Sequence, residues 1–334
     1  MCTASTSDGN EHASARRRSS FALCGAALLG LLLPTASAAQ PGGASGQPQH
    51  PQQQKQQAAA QELRTADVVR ANLETSYLAY PIPIHGLPPL IFECNIAPHF
   101  FVNQDSWPFA VVLTPKIVLR MFNEESTPVR SPSFMPRITA YAWFQQRVSG
   151  TPTFYGSVML SHHSNGQAGP FFAPDGSINH EDGSFSTNYF EFTLYLTGFS
   201  GRFLGWSSLG FEWHPGFNQD EELEGRYGLY RLNLASTLIA DLPLHGQVSL
   251  RLTAILDEFL RSSDNPFVRE LERFPLSISY SMTVPGIDLG VYVGYYLGHD
   301  YYNIYFDQLI HTIQLGIAGG FAPTLLKSEP SDRQ

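Results

Sequence analysis

The chain has 334 residues, a formal charge of −9, 13% aromatic residues and only 15% charged ones. An average soluble domain carries roughly 25% charged residues, and nucleic acid wants a basic face, so composition argues against both an ordinary hydrophilic surface and a nucleic-acid partner. A chain this aromatic with overall hydropathy near zero fits a membrane barrel, whose wall alternates apolar and polar positions.

Residues 1–38 read as a secretory signal peptide. Arg16, Arg17 and Arg18 form a positive region, Phe21 to Leu33 an apolar run, and Ala36-Ser37-Ala38 a small-residue cleavage pattern. The apolar run is shorter than the ~20 residues of a spanning helix. Cys24 follows Phe21-Ala22-Leu23, a poor match to a lipoprotein signal. Cleavage after Ala38 leaves Cys94 as the only cysteine, so no internal disulfide can form even in an oxidising envelope. Residues 39–71 are expected to form a disordered linker. Gln, Pro, Ala and Gly dominate it up to residue 62, without periodic apolar positions.

Beyond the linker no run reaches 18 apolar residues. Segments of about ten residues alternate instead, separated by turn-like clusters. The pattern predicts an all-β protein, a transmembrane antiparallel barrel of about 12 strands. The strands are expected near Thr75–Ile84, Phe92–Val102, Phe109–Phe122, Arg137–Gln146, Thr153–His163, Asn188–Phe199, Leu204–His214, Leu229–Leu242, Gln247–Leu256, Leu276–Val284, Leu289–Leu297 and Leu309–Ala318. A soluble β-sandwich would alternate too, but the leader and the number of strands favour the barrel. The domain is expected to span 72–321, with a polar tail at 322–334. The four tryptophans, Trp107, Trp143, Trp206 and Trp213, are candidates for a membrane-interface belt, or for ordinary core packing.

Side chains two apart in a strand share a face. Phe154, Gly156, Val158, Leu160 and His162 therefore line one face, and Asn188, Phe190, Phe192, Leu194 and Leu196 one face of the next strand. These apolar rows should meet lipid. His162 ends one row, Asn188 begins the other, and Ser164 shares the parity of His162. Polar groups on a greasy wall are costly and usually functional. A serine becomes a useful nucleophile beside a base, and the base needs a third group to hold its tautomer. Ser164, His162 and Asn188 could fill these roles; a polar rim at headgroup level is the plainer explanation. His163 has the opposite parity and is expected to hydrogen-bond in the lumen.

His162-His163-Ser164-Asn165-Gly166 resembles the His-x-Ser-Asn-Gly signature of the outer-membrane phospholipase A family. Asn123 to Arg130 resembles that family's Glu-Glu-Ser-Ser-Pro-Phe-Arg segment, and Ser126 precedes His162 by 36 residues, as in the family. Ser184 to Asn188, Gly298 to Gln308 and Thr75 to Tyr80 resemble further segments, so the likeness spans about 72–321.

The resemblance implies Ser164 as nucleophile, His162 as general base and then acid, and Asn188 as the residue that orients it. It implies an oxyanion site at the backbone N–H groups of Ser164 and Gly166, aided by calcium. The implied ligands of that ion are the Ser184 side chain, the Gln167 carbonyl and, from a partner chain in a homodimer, Ser126. The substrate would be membrane phospholipid in the outer membrane. Two departures stand out. Gln167 replaces a common Arg, and the loop 168–183, with Asp175, His180, Glu181 and Asp182, is longer than the family's. Those residues could add calcium ligands, but such a loop is more often simply solvated. Two rival functions stay open: a lipid A deacylase, a smaller barrel that also carries His-x-Ser on its outer wall, and a non-enzymatic porin or structural barrel with a vestigial site.

Overall fold

The computed structural model describes residues 72–102, 109–143, 153–200, 203–241, 245–263, 265–283 and 289–319. The expected signal peptide, linker and tail lie outside these residues, as does Trp107. Among the described residues thirteen strand segments form one antiparallel sheet. In chain order they are β1 (Ser76–His85), β2 (Leu90–Ile96), β3 (Phe100–Val102), β4 (Phe109–Phe122), β5 (Ser133–Trp143), β6 (Thr153–Ser164), β7 (Ser186–Ser200), β8 (Phe203–Trp213), β9 (Tyr230–Asp241), β10 (His245–Ile255), β11 (Leu276–Thr283), β12 (Gly290–His299) and β13 (Leu309–Gly319). Consecutive strands pair except β2 and β3, which both pair with β4, and β13 pairs with β1, which closes the barrel.

β2 and β3 are two halves of one strand, so the wall is twelve-stranded, as the alternation predicts. The expected strand Phe92–Val102 is interrupted at Ala97-Pro98-His99, where proline removes a ladder donor. There His99 turns inward, and its ring contacts Thr114 Oγ1 at 2.8 Å and the Glu74 carbonyl at 3.0 Å. β5 starts at Ser133 rather than Arg137 because Phe134 pairs with Ser164.

Burial follows the two-residue period. Along β6, Phe154, Val158 and Leu160 are exposed on the outer wall, while Tyr155, Ser157, Ser161 and His163 are buried inside. No helix is long and apolar enough to cross a membrane among the described residues. Trp206 is buried and lines the lumen, so it serves in the interior and not in a belt. Trp213 is on the outer wall.

The lumen is filled by charge at one level and by grease at another. Arg120 is fully buried. It donates to Glu93 from Nε at 2.8 Å and to both oxygens of Asp300, one at 2.8 Å. Tyr77, Tyr301 and Gln314 also donate to Glu93, so the carboxylate's lone pairs are satisfied. Above this cluster, Leu87, Leu90, Phe122, Phe171, Phe185, Leu223, Tyr302, Ile304 and Phe306 pack together at the end of the barrel that carries the long loops. Below it lies a cavity of about 520 Å³ lined by Glu74, Lys116, Arg137, Glu191, Arg231 and Arg251, among others.

Candidate active site on the outer wall

β6 and β7 form an unbroken ladder from Thr153↔Thr197 to Ser164↔Ser186. In this register His162 stands directly opposite Asn188. Facing residues in an antiparallel pair have Cβ atoms only about 4.5–5.5 Å apart, so the imidazole can reach the amide. His162 Nδ1 lies 2.9 Å from Asn188 Oδ1.

The loop between β8 and β9 decides which way that amide points. Asn188 Nδ2 donates to the Phe217 carbonyl at 2.8 Å and to the Asn218 carbonyl at 3.4 Å. Its donors are thereby committed, and Oδ1 faces the ring as an acceptor. His162 Nδ1 therefore carries the proton and Nε2 keeps its lone pair, the tautomer a general base needs.

Ser164 is the last residue of β6, half-buried and on the same face as His162. Among the described residues its hydroxyl makes no hydrogen bond. The structure thus joins two of the three expected residues and leaves the serine one contact short. Catalytic hydrogen bonds often close only when substrate is bound.

Beyond Ser164 the chain turns out of the sheet. Gly166 has a φ of +68°, in the left-handed region that glycine enters without strain. It is exposed, and its N–H has no partner among the described residues. An open amide two residues after a serine can meet a developing oxyanion.

Of the residues expected to hold a metal, Ser184 has an oxygen-rich neighbour. Its hydroxyl donates to Asp220 Oδ2 at 3.3 Å. Asp220 is half-buried. Burial raises its carboxyl above the usual carboxylate range, while hydrogen bonds from the Ser186 backbone and the Ser184 side chain pull the other way. Sequence reasoning missed Asp220, because Asn218-Gln219-Asp220-Glu221-Glu222 reads as an ordinary acidic loop. Ser126 stands apart on the exposed loop between β4 and β5, at a φ of 66°. Hydroxyl, carboxylate and carbonyl oxygens suit calcium, which takes six to eight of them. Ser184, Asp220 and the Gln167 carbonyl match it in chemistry but not in number. No group of three or more His, Cys, Asp or Glu side chains converges among the described residues.

His163 points inward, as its parity requires. Its Nε2 lies 3.2 Å from Ser133 Oγ, and its ring meets Phe185 edge-on at 4.8 Å. The long loop 168–183 is not simply solvated. Bridges at Gly169↔Gly183 and Phe172↔Ile178 fold it on itself. Phe171 is buried against Phe306. His180 stacks on Tyr305 at 4.7 Å, and its Nε2 lies 2.9 Å from Asp307 Oδ1. Asp175, Glu181 and Asp182 remain exposed and dispersed.

Solved structures with this architecture have a known identity. The fold is that of outer membrane phospholipase A. The Escherichia coli protein matches over 74% of this chain and 96% of its own, with a TM-score of 0.51 and 16% identity. A Salmonella typhi outer membrane phospholipase, described as a dimer with bound calcium, matches over 77% and 98%, with a TM-score of 0.53 and 14% identity. No family model matches the sequence, and no curated protein does either. The likeness is one of fold.

Proposed function

We propose that the protein is an outer-membrane phospholipase that hydrolyses acyl esters of phospholipids at the rim of its lipid-facing wall. The observation that carries this reading is the His162–Asn188 hydrogen bond, made on an apolar wall beside a serine of the same parity. Nothing in wall packing calls for a histidine held in a single tautomer there.

The chemistry follows from the atoms. Ser164 Oγ attacks the ester carbonyl carbon while His162 Nε2 takes the hydroxyl proton. Asn188 Oδ1 holds the Nδ1–H of the imidazolium that results. As a neutral acceptor it stabilises that cation less than a carboxylate would. The Gly166 N–H, with that of Ser164, donates to the carbonyl oxygen as it becomes an oxyanion. The tetrahedral species collapses, the alkoxide of the lysophospholipid leaves, and His162 returns the proton to it. Water then attacks the acyl-Ser164 ester, with His162 again as base, and releases the fatty acid.

Calcium is the cofactor that suits the oxygen donors near this corner. Ser184, the Gln167 carbonyl and Asp220 would hold it, with Ser126 supplied by a partner in a homodimer. Bound there, the ion would add positive charge beside the oxyanion. Residues 1–38 would direct export and be removed, and the barrel would reside in the outer membrane with its long loops outward.

A porin is the less favoured alternative, since the apolar cluster of Leu87, Phe122, Phe185 and Phe306 packs across the long-loop end of the lumen. A lipid A deacylase is disfavoured by the twelve-stranded wall. The test is release of fatty acid from phospholipid vesicles by the folded protein, with calcium and with chelator, against Ser164→Ala. Hydrolysis by wild type alone supports the reading. Equal activity of Ser164→Ala ends it.

A further inference from the structure

Asn165 is the residue after the proposed nucleophile, and strand parity turns its side chain away from the lipid face. It is almost completely buried, 1% exposed. A polar side chain at that depth must spend its hydrogen-bonding capacity on the protein. Asn165 does so three times. Its Oδ1 accepts from the Gln167 N–H at 3.1 Å and from the Phe185 N–H at 3.0 Å. Its Nδ2 donates to the Gly183 carbonyl at 2.8 Å. The Asn165 backbone N–H also donates to the Phe185 carbonyl at 3.1 Å.

These bonds have a common geometry. One amide ties the segment leaving β6, Ser164 to Gln167, to the segment entering β7, Gly183 to Phe185. Between those ends lies the whole 168–183 loop. Gly166, whose open N–H is the oxyanion donor of the proposed reaction, sits between Asn165 and its bonded neighbour Gln167. With no side chain and no hydrogen bond to its N–H among the described residues, it has few restraints of its own. The Asn165 side chain bridges across it, from one flanking residue to the other.

We propose that Asn165 is a positioning residue that aims the Gly166 amide, and with it Ser164, at the reacting carbonyl. This rests on the phospholipase reading. Asn165 touches no substrate; it acts by holding a donor in place. Oxyanion donors contribute because they are aimed before charge develops, and small misplacements of reacting groups are costly. A shorter side chain would leave two N–H groups and a carbonyl of this corner without partners. Aspartate would keep both acceptor bonds and lose the donor to Gly183.

The experiment compares wild type, Asn165→Ala and Asn165→Asp as folded barrels, verified by their heat-modifiable gel mobility. Two quantities are measured. One is kcat and KM on phospholipid vesicles. The other is the rate of Ser164 modification by a long-chain alkylsulfonyl fluoride, expressed per modified site by mass spectrometry. Expected for Asn165→Ala is a fall in kcat and in the rate per site of about 30-fold, with KM within about twofold. Asn165→Asp should fall less, by about fivefold. A purely structural role would lower the fraction of modifiable protein and leave the rate per site unchanged, which overturns the proposal. If Asn165→Ala does not fold, Asn165→Asp decides alone, and a wild-type rate per site rejects the assignment. Wild type that neither hydrolyses lipid nor reacts at Ser164 defeats the phospholipase reading itself, a result distinct from the others, and Asn165 falls with it.

Discussion

His162 and His163 are adjacent in sequence and lie on opposite sides of a wall. His162 faces outward among Leu160, Val158 and Phe190, and among the described residues its ring bonds only to the side chain of Asn188, whose own donors are already committed. His163 faces inward, packed on Phe185 and bonded to Ser133. The residue type is the same and the local backbone is the same. What differs is where the imidazole's second nitrogen lies, on the open outer wall or inside a packed interior. On the wall, one nitrogen is fixed as donor and the other is left open. Inside, the ring joins a packed network that ends in Ser131, Asn303 and the long-loop cluster. The comparison teaches that in a barrel a polar residue in the lumen is ordinary, while the same residue on the outer wall needs a reason.

The largest effect should come from the wall. Ser164→Ala and His162→Ala are each expected to lower ester hydrolysis by at least about 10⁴-fold while the barrel still folds. The double variant should be little worse than either, because such residues act as a unit. Vesicle hydrolysis with a gel-mobility check on folding would show it, and wild-type turnover by Ser164→Ala would break the assignment.

The strongest effect inside should be on stability. Arg120→Met leaves Glu93 and Asp300 buried without their cation, and removing one partner of such a cluster costs about 3–5 kcal/mol. Urea unfolding in lipid vesicles measures this. A midpoint equal to that of wild type would mean that the Arg120 cluster adds nothing to the interior.

Next comes the residue that links His162 to the loop. Asn188→Ala should lower kcat by about 10²-fold, the smaller end of what acid–base positioning contributes. Steady-state kinetics would show the loss, and a purely KM effect would contradict the tautomer argument. Ser126→Ala should act more weakly, reducing both calcium-promoted dimer and turnover by about fivefold, since linked equilibria shift together. Ultracentrifugation in detergent across a calcium titration, with an ester assay, tests this. Full activity of a monomer in chelator refutes the calcium-bridged dimer and leaves Ser164 standing.

The smallest effect returns to the pair. His163→Ala should keep activity within about threefold and lose about 1 kcal/mol of stability with its hydrogen bond. A loss as deep as that of His162→Ala would mean that the functional face of β6 is the inner one, a register shifted by one residue.

Much of the architecture was legible in the chain because a strand's side chains alternate with a fixed period of two. That period sorted Val158 and Leu160 from Ser157 and Ser161, separated His162 from His163, and put Asn188 on the face of Phe190 and Phe192 without any knowledge of the barrel's closure. Where a strand departed from its expected bounds, a local event was responsible, as at Pro98 within the β2–β3 strand.

What the tertiary structure decided lies in contacts between residues far apart in the chain. The Phe217 and Asn218 carbonyls that orient Asn188, the Asp220 carboxylate beside Ser184, and the Arg120–Glu93–Asp300 cluster join segments separated by 27 to 180 positions. The 168–183 loop shows the same limit. Its charges suggested a solvated loop, yet Phe171 and His180 dock it on Phe306, Tyr305 and Asp307. Periodicity reports which face a side chain takes. It carries no information about which loop will fold back over that face, because such contacts depend on how the barrel closes and brings its loops together.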